Sequence, residues 1–374
     1  MHRSIIPFVL VVLLLTSAEN SLAQHGHTGM CADCHSMHNS QDGLPLRYDG
    51  GLTPLPLMLR ADCVSCHTGL NSQGAFAASS AKETRAAAVQ GIYSGAPSPR
   101  VMSVTPPVYS WGDSSGENGG ILAGGNFYWV TINEAYGHNV TSIPGMLPDS
   151  RLGTTPPGGT TLSSPLQCAG LNGCHGDPSV SAVPLLSLDK AHHTNSLGVV
   201  DGVTVGSSYR FLLGVRGEED RDWEWTVSAT DHNLYAGQVR AVETTPPSAA
   251  TMSGNCAKCH GDFHNSATGK SGAGEGGSSG FVSPWVRHPN DYDMSLTGDY
   301  AGYSSYATKA PVARTPGTIG MGSKAAAGAN QRIIMCLTCH RAHGSPYYAM
   351  LRWNYRGWPG PGGQDGCQIC HTSK

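Results

Sequence analysis

The 374-residue chain has few charged and few large aliphatic residues. Only 13% of its residues are Asp, Glu, Lys or Arg, which is about half the usual share of ~25%. Leu, Ile, Val and Phe together make up about 18% of the chain, below the ~20% at which a conventional hydrophobic core becomes doubtful. With a formal net charge of −3 there is no basic excess, so nucleic acid is excluded as a partner. Side chains alone cannot build ordinary domains over this length.

Long apolar runs are missing after the N-terminus. Residues 1–23 have the pattern of a secretory signal peptide, with an apolar run over residues 5–15 and the small-residue site Ser21-Leu22-Ala23. No later stretch approaches the ~20 apolar residues of a transmembrane helix. We expect an exported protein with no transmembrane segment, whose mature chain begins at Gln24 and which is extracellular, at the cell surface or, alternatively, periplasmic.

All twelve cysteines fall into six pairs, and a histidine directly follows each pair. The pairs with their histidines are Cys31/Cys34-His35, Cys63/Cys66-His67, Cys168/Cys174-His175, Cys256/Cys259-His260, Cys336/Cys339-His340 and Cys367/Cys370-His371. In C-x-x-C-H the two thiols bond the vinyl groups of a haem, and the histidine ligates the iron as the proximal ligand. Neither disulfides nor zinc sites require that histidine. The sequence therefore predicts six haem c groups.

The third motif has an unusual spacing. Five residues, not two, separate Cys168 from Cys174, so the loop between them must bulge to keep both thiols beside one porphyrin. Gly170 and Gly173 suit such a loop because glycine accepts positive φ angles. A Cys168–Cys174 disulfide, or a haem held by Cys174 alone, stays an alternative at this motif.

The motifs predict one hexahaem cytochrome domain over residues 24–374. An N-terminal dihaem module (about 24–70) resembles a C-terminal one (about 331–374), since C-H-x-x-H opens both. A haem-poor segment rich in Gly, Pro and Ser (about 71–165) and the central haems (about 166–330) lie between them. We expect mostly irregular coil wrapped around a stacked haem chain, with short helices at the C-x-x-C-H turns and a few short antiparallel strands.

Three segments have the composition or alternation of strands. They are residues 126–132, 209–215 and 223–227, the last two joined by a charged turn over 216–222. Residues 265–281 have no periodicity and are predicted to be a loop.

Ten histidines remain after the six proximal ones and His2 of the signal segment are set aside, out of 17. They are the candidates for the second, distal iron ligand, because histidine is the commonest metal ligand. Our first choices are His38, His138, His193, His232, His288 and His343, and our second choices are His192, His264, His27 and His25. Which of His192 and His193 ligates stays open. Met37 and Met58 are alternative ligands that would raise a reduction potential.

The spacing of some of these histidines limits which iron they can reach. His38 and His343 each follow a proximal histidine by three residues, and His264 follows His260 by four. Each lies on the same side of the ring as its own proximal histidine, so it cannot reach the opposite face of that haem. As ligands they would serve other irons and force porphyrins into near contact.

The segment from Cys31 to Ser40, CADCHSMHNS, resembles the opening motif of the filament-forming extracellular multihaem cytochromes of metal-reducing bacteria, the OmcS and OmcE type. The resemblance implies histidines on both sides of every iron, haems stacked in alternating parallel and T-shaped pairs, and subunits that polymerise head to tail. It also implies that His38 ligates a haem of the neighbouring subunit. The spacing of Cys168 and Cys174 departs from the plain motif.

The favoured function is electron transfer along a conductive extracellular homopolymer. Upstream periplasmic or outer-membrane cytochromes would supply electrons, and metal oxides or other cells would accept them. A monomeric periplasmic electron shuttle is one alternative. A multihaem oxyanion reductase is another, but it needs an iron with an open position, and the C-x-x-C-K motif that some families use for this is absent from the sequence. We expect an electron carrier and no enzyme activity.

Overall fold

The computed structural model describes a chain of short elements. The residues that it describes are 35–47, 51–60, 62–63, 123–143, 145–159, 161–180, 183–188, 191, 198–220, 224, 227–240, 247–261, 290–294, 298–325, 328–355 and 366–372. Within these ranges no helix is long and apolar enough to cross a membrane.

The α-helices of the described residues are one or two turns long. They are α1 Tyr128–Ile132, α2 Met252–Ala257, α3 Cys336–Cys339 and α4 Cys367–Cys370. Short 3-10 turns occupy Pro56–Met58, Glu134–Tyr136, Pro184–Leu188, Val205–Ser207, Tyr209–Phe211, Gly298–Tyr300, Pro316–Thr318 and Tyr348–Met350. Helices α3 and α4 coincide with the fifth and sixth motifs, and α2 contains the first cysteine of the fourth. The prediction of short helices at the motifs is confirmed there.

Ten strands of two or three residues form one larger sheet and two small pairs. They are β1 Ser40–Gln41, β2 Leu44–Pro45, β3 Gln167–Ala169, β4 Gly173–His175, β5 Gly198–Val200, β6 Gly217–Glu219, β7 Leu234–Ala236, β8 Tyr292–Asp293, β9 Ala313–Arg314 and β10 Ile333–Ile334. The six-stranded sheet has the order β5-β6-β7-β9-β10-β8. Its neighbours are antiparallel except β7 and β9, which are parallel. It joins the central segment to the start of the C-terminal module.

Two of the strand predictions are wrong. Residues 128–132 form α1 instead, because the buried Asn126 accepts a hydrogen bond from the backbone N–H of Tyr128 at 2.8 Å and turns the chain there. The segment from Tyr209 is a turn, since Arg210 and Phe211 adopt φ values of 48° and 59°. Strand β6 lies where a turn was predicted over 216–222. Most of 223–227 lies outside the described residues.

The packed side chains form three separate clusters, none of them large. One lies on the sheet and includes Val215, Tyr235 and Ile333. A second packs Phe127, Val130 and Ile143 beside Cys168. The third packs Met294, Tyr303 and Tyr306 beside Cys370. Two of the three clusters therefore end against a cysteine of a predicted haem motif.

The long third motif is a tight loop between two parallel strands, β3 and β4. Gly170 has φ +83°, as the sequence led us to expect, but Gly173 is required for another reason. A Cβ at Gly173 would lie 2.5 Å from the backbone of Ala169. The loop thus brings Cys168 and Cys174 to adjacent strands, and no disulfide joins them.

Gly173→Ala is expected to destabilise this loop, because the new methyl group meets backbone that cannot move away. Overpacking of this kind costs about 1–3 kcal/mol. Thermal unfolding followed by circular dichroism should show a lower transition temperature. Leu171→Ala, at an exposed side chain of the same loop, is the matched control and should unfold like the parent. Equal transition temperatures for all three proteins would contradict the tight approach.

Candidate haem-binding site

Each proximal histidine in the described residues directs its Nδ1 atom at an oxygen atom. The other member of each contact lies outside the motif, between 9 and 103 residues away in the sequence. The contacts are His35 with the carbonyl of Leu57 (2.9 Å), His175 with that of Arg210 (2.7 Å), His260 with that of Pro157 (2.7 Å), His340 with that of Ala349 (2.9 Å), and His371 with the Asp299 carboxylate (2.5 Å).

These contacts determine which ring nitrogen is available to a metal. An Nδ1–H that donates to oxygen leaves Nε2 with its lone pair, and Nε2 is then the metal-binding atom. The contact also orients the ring. All five described proximal histidines therefore have the tautomer and the anchoring of metal-ligating imidazoles.

Three of these five contacts come from the same backbone device, which we call the brace. In each brace two successive non-glycine residues adopt left-handed φ angles: Leu57-Met58, Arg210-Phe211 and Ala349-Met350. The first residue accepts the histidine Nδ1 contact. The carbonyl of the second accepts the backbone N–H that follows that histidine, at 2.8, 2.7 and 2.8 Å.

The brace was missed from the sequence, although a weak signal exists. Its three copies read PLML (56–59), YRFL (209–212) and YAML (348–351), so a leucine follows the two left-handed residues each time. Left-handed conformations are costly for residues other than glycine and persist only where surrounding structure enforces them. The braces serve the first, third and fifth motifs, which are the first members of successive motif pairs.

Two of the predicted distal histidines, His138 and His343, lie on two chain segments that hydrogen bonds join. We call this pair of segments the clasp. The loop that carries His343 is held by backbone hydrogen bonds from His343 N–H to the carbonyl of Gly124 (2.7 Å) and from His138 N–H to the carbonyl of His343 (3.2 Å). The Nδ1 of His138 lies 2.7 Å from the carbonyl of Ala342. Two chain segments 204 residues apart thereby fix both imidazoles.

Each of these two imidazoles faces a proximal one. The ring centroids of His138 and His260 are 6.2 Å apart with the planes at 43°, and those of His175 and His343 are 6.4 Å apart at 47°. Desolvation and the neighbouring His260 lower the pKa of His138 to about 4. Burial also lowers the pKa of His175. These imidazoles are therefore neutral at pH 7, the form that binds a metal.

His232 has a different environment. Its side chain is fully buried, its ring stacks on Tyr306 at 3.4 Å, and its Nδ1 and Nε2 lie 2.6 and 3.1 Å from the carbonyls of Asn233 and Lys324. Burial lowers its pKa to about 4. In this arrangement both ring nitrogens face carbonyl oxygens, so neither is directed at a metal. His232 could ligate iron only if its side chain moved out of this position.

The thiols of successive motifs are neighbours. The Cys63 thiol hydrogen-bonds with that of Cys168 and lowers the pKa of Cys168 to about 7. The same side-chain contact joins Cys256 and Cys336. Burial raises the pKa of Cys174 and of Cys339 to about 12, and the nearby Cys259 and Cys370 add to these rises. The hydrogen-bonded thiols thus join the second motif to the third and the fourth to the fifth.

The donor set fits haem c in two further respects. None of the nine described cysteines is in a disulfide, so their thiols are available for thioether bonds. The side chain of Arg332 is buried, and within the described residues its Nε and one Nη meet no hydrogen-bond acceptor. A buried guanidinium requires an anion, and the two propionates of a haem are anions of the right geometry.

Several predicted site residues lie outside the described part of the chain. They are Cys31, Cys34, Cys66, His67, His25, His27, His192, His193, His264 and His288. Their assignments stay predictions, as do the signal segment 1–23 and the loop 265–281. His38 is described and is exposed.

The comparisons with known proteins agree with the haem motifs. A sequence profile described as "Doubled CXXCH motif" matches residues 328–374. The chain is 26% identical to the C-type cytochrome OmcS of Geobacter sulfurreducens, over 92% of this chain and 84% of that protein. This confirms the resemblance to OmcS-type cytochromes and the fold class of a multihaem c-type cytochrome.

Two solved structures align loosely. They are the "Outer Membrane Cytochrome S Filament" and the OmcS nanowires of the same organism, with TM-scores of 0.41 and 0.42 and identities of 19% and 21%. Each alignment covers 89% of this chain and 85% of the other. The sequence similarity and the doubled motif carry the comparison, not these superpositions.

The brace generates a prediction at Ala349, which has φ +53°. Ala349→Val should lower the free energy of unfolding by about 1–3 kcal/mol, because a β-branched side chain is strongly disfavoured at positive φ. Ala349→Gly should unfold much like the parent, since glycine tolerates this conformation. Ala342→Val, at an exposed position of the neighbouring turn, controls for the added methyl groups. If the two valine variants lose equal stability in thermal unfolding, the brace is not the cause.

Proposed function

We propose that this chain, which is similar to the multihaem c-type cytochrome OmcS, carries electrons outside the cell through six covalently bound haems and assembles into a filament. The observation that carries the proposal is the two pairs of facing imidazoles, His138 with His260 and His175 with His343, whose ring centroids are 6.2 and 6.4 Å apart. Each haem, when bound, supplies one-electron iron chemistry. The chain's own role is to hold the haems in a row, to coordinate their irons and to keep substrates away from them.

The thiol contacts support a row in sequence order. Because each thiol bonds the edge of a porphyrin, neighbouring thiols place the edges of neighbouring porphyrins side by side. Hydrogen bonds join the thiols of Cys63 and Cys168 and those of Cys256 and Cys336. Cys259 and Cys370 lie near enough to Cys174 and Cys339 to add to the rise of their pKa values. This order favours transfer between adjacent haems from the second motif to the sixth. It requires no substrate pocket.

The facing imidazoles support coordination of iron by two histidines. Metal–imidazole bonds are about 2.0 Å long, and the atoms of a conjugated five-membered ring with bonds of about 1.33 Å lie about 1.1 Å from its centre. Two imidazoles on opposite sides of one metal should therefore have centroids about 6.2 Å apart. The pairs His138–His260 and His175–His343 are 6.2 and 6.4 Å apart.

We therefore assign His343 as the distal ligand of the haem at Cys168/Cys174, and His138 as that of the haem at Cys256/Cys259. The ligand for the third haem comes from the loop after the fifth motif. The ligand for the fourth haem comes from the segment between the second and third motifs. Such crossed ligation keeps irons saturated, which supports electron transfer over enzymatic reduction of a bound substrate.

The assignment predicts different spectra for three histidine variants. His343→Ala and His138→Ala should each open the sixth position of one haem, so the reduced protein should bind carbon monoxide at one iron. His232→Ala should not, because His232 packs on Tyr306 and its nitrogens face carbonyls. Optical titration of the reduced holoprotein with carbon monoxide measures this.

Two results would contradict the assignment. The first is a saturated, unreactive spectrum in both His343→Ala and His138→Ala with all six haems present by mass spectrometry. The second is carbon monoxide binding in His232→Ala, which would contradict the exclusion of His232 as a ligand. Fewer than six haems in the parent protein would contradict the haem count itself.

The surroundings of His38 support its proposed role as a ligand to the haem of the next subunit. The backbone beside it is anchored: the Asn39 side chain donates to the carbonyl of Gly51 at 2.6 Å and accepts the N–H of Arg47 at 2.9 Å. Met37 beside it is 93% exposed, and His38 is also exposed. A fixed loop thus presents an imidazole and an apolar side chain to solvent, which suits insertion into a second copy of the chain.

His38→Ala should abolish filaments while leaving each subunit folded, because it removes a ligand that only the next subunit would need. Electron microscopy and size-exclusion chromatography measure assembly, and mass spectrometry measures haem content. Met37→Ala separates ligation from apolar packing, since it leaves the imidazole in place. Normal filaments from His38→Ala would exclude the cross-subunit role. A parent protein that stays monomeric would favour the periplasmic shuttle.

A further inference from the structure

We propose that Asp299 lowers the reduction potential of the haem attached at Cys367 and Cys370, by accepting a charged hydrogen bond from its proximal ligand His371. Asp299 is then a positioning residue that also tunes the iron. The inference rests on the proposed function, since it requires a haem at the sixth motif.

The observation is a direct contact between carboxylate and imidazole. The Oδ2 of Asp299 lies 2.5 Å from the Nδ1 of His371. Both side chains are largely shielded from water, with 19% and 28% of their surface exposed. Solvent therefore screens this pair less than it would a surface pair.

The contact differs from that of the other described proximal histidines. His35, His175, His260 and His340 all face backbone carbonyl oxygens, which are neutral. His371 faces an anion. The Nδ1 contact of the sixth motif thus differs from the other four described Nδ1 contacts in the charge of its acceptor.

Hydrogen bonds that involve Thr372 hold the backbone around Asp299 in place. The backbone N–H and the hydroxyl of Thr372 both donate to the carbonyl of Asp299, at 2.8 and 2.9 Å. The Thr372 hydroxyl in turn accepts the N–H of Gly302 at 3.1 Å. The ring of Tyr300 lies 5.5 Å from that of His371. Because Thr372 directly follows His371, the carboxylate and the imidazole are fixed to each other through the backbone.

The physical effect follows from charge. A carboxylate that accepts the Nδ1–H increases the basicity of the imidazole, so Nε2 becomes a stronger donor to iron. Ferric iron carries one more positive charge than ferrous iron and gains more from this donation and from the nearby anion. The carboxylate therefore stabilises the oxidised form, and the potential falls relative to that with a neutral acceptor.

The carboxylate would hold the sixth haem in its oxidised form down to a lower potential than a neutral acceptor would.

The test is a spectroelectrochemical titration of the holoprotein with Asp299→Asn, which keeps an oxygen acceptor but removes the charge. One haem component should shift to a more positive potential, and Asp299→Glu should restore it at least in part. Asp177→Asn is the matched control. This carboxylate lies two residues after His175 and accepts hydrogen bonds from Ser179, so its loss should leave the components in place.

An unchanged titration of Asp299→Asn with six haems present by mass spectrometry would overturn the inference. A missing adduct at Cys367 and Cys370 in the parent would instead overturn the proposed function. If Asp299→Asn does not assemble, the parent protein is labelled with nitrogen-15 histidine and its Nδ1 protons are recorded by NMR in the reduced state. The Nδ1 proton of one proximal histidine should lie downfield of the others. A spectrum in which no Nδ1 proton is shifted in this way would also refute the carboxylate contact.

Discussion

The hydrogen bond from a proximal imidazole to an oxygen atom is the constraint on which the structure depends. A ligand histidine must present Nε2 in one orientation, and in none of the five described motifs does the motif itself supply the acceptor for Nδ1. The acceptor comes from another loop each time, up to 103 residues away in the case of His260 and Pro157. Four of these acceptors lie in short 3-10 turns, so irregular backbone delivers them and not long helices or strands.

The placement of the charged side chains is a second feature of the fold. The chain has few charged residues, yet many of those in the described ranges are buried, including Arg60, Glu219, Asp291 and Arg332. Some pair directly, as Arg240 does with Asp291 at 2.8 Å. Removing such ions from water is costly, so a buried pair of this kind contributes little net stability. The Arg240–Asp291 pair joins two chain segments that are 51 residues apart.

The sequence predicted what depends on local pattern and failed where distant segments decide. The cysteine spacing predicted the helices at the fifth and sixth motifs, and the surplus of histidines made His138 and His343 candidate ligands, which they remain. Their pairing with His260 and His175 could not be predicted, because it arises from a clasp between segments 204 residues apart. Residues 209–215 were misread as a strand because the leucine that follows the left-handed pair in each brace is too weak a signal to mark Arg210 and Phe211. Asp299 was missed for a similar reason, since a lone aspartate far from any motif carries no signal.

Four of the five described acceptors are main-chain oxygens. No codon change can delete a carbonyl group, so a point substitution leaves most of these acceptors in place as long as the backbone keeps its conformation. The amino-acid sequence can therefore drift far while iron keeps the same neighbours. The acceptor at Asp299 is a side chain, so a single nucleotide change there can remove it and alter the electronic environment of the metal directly.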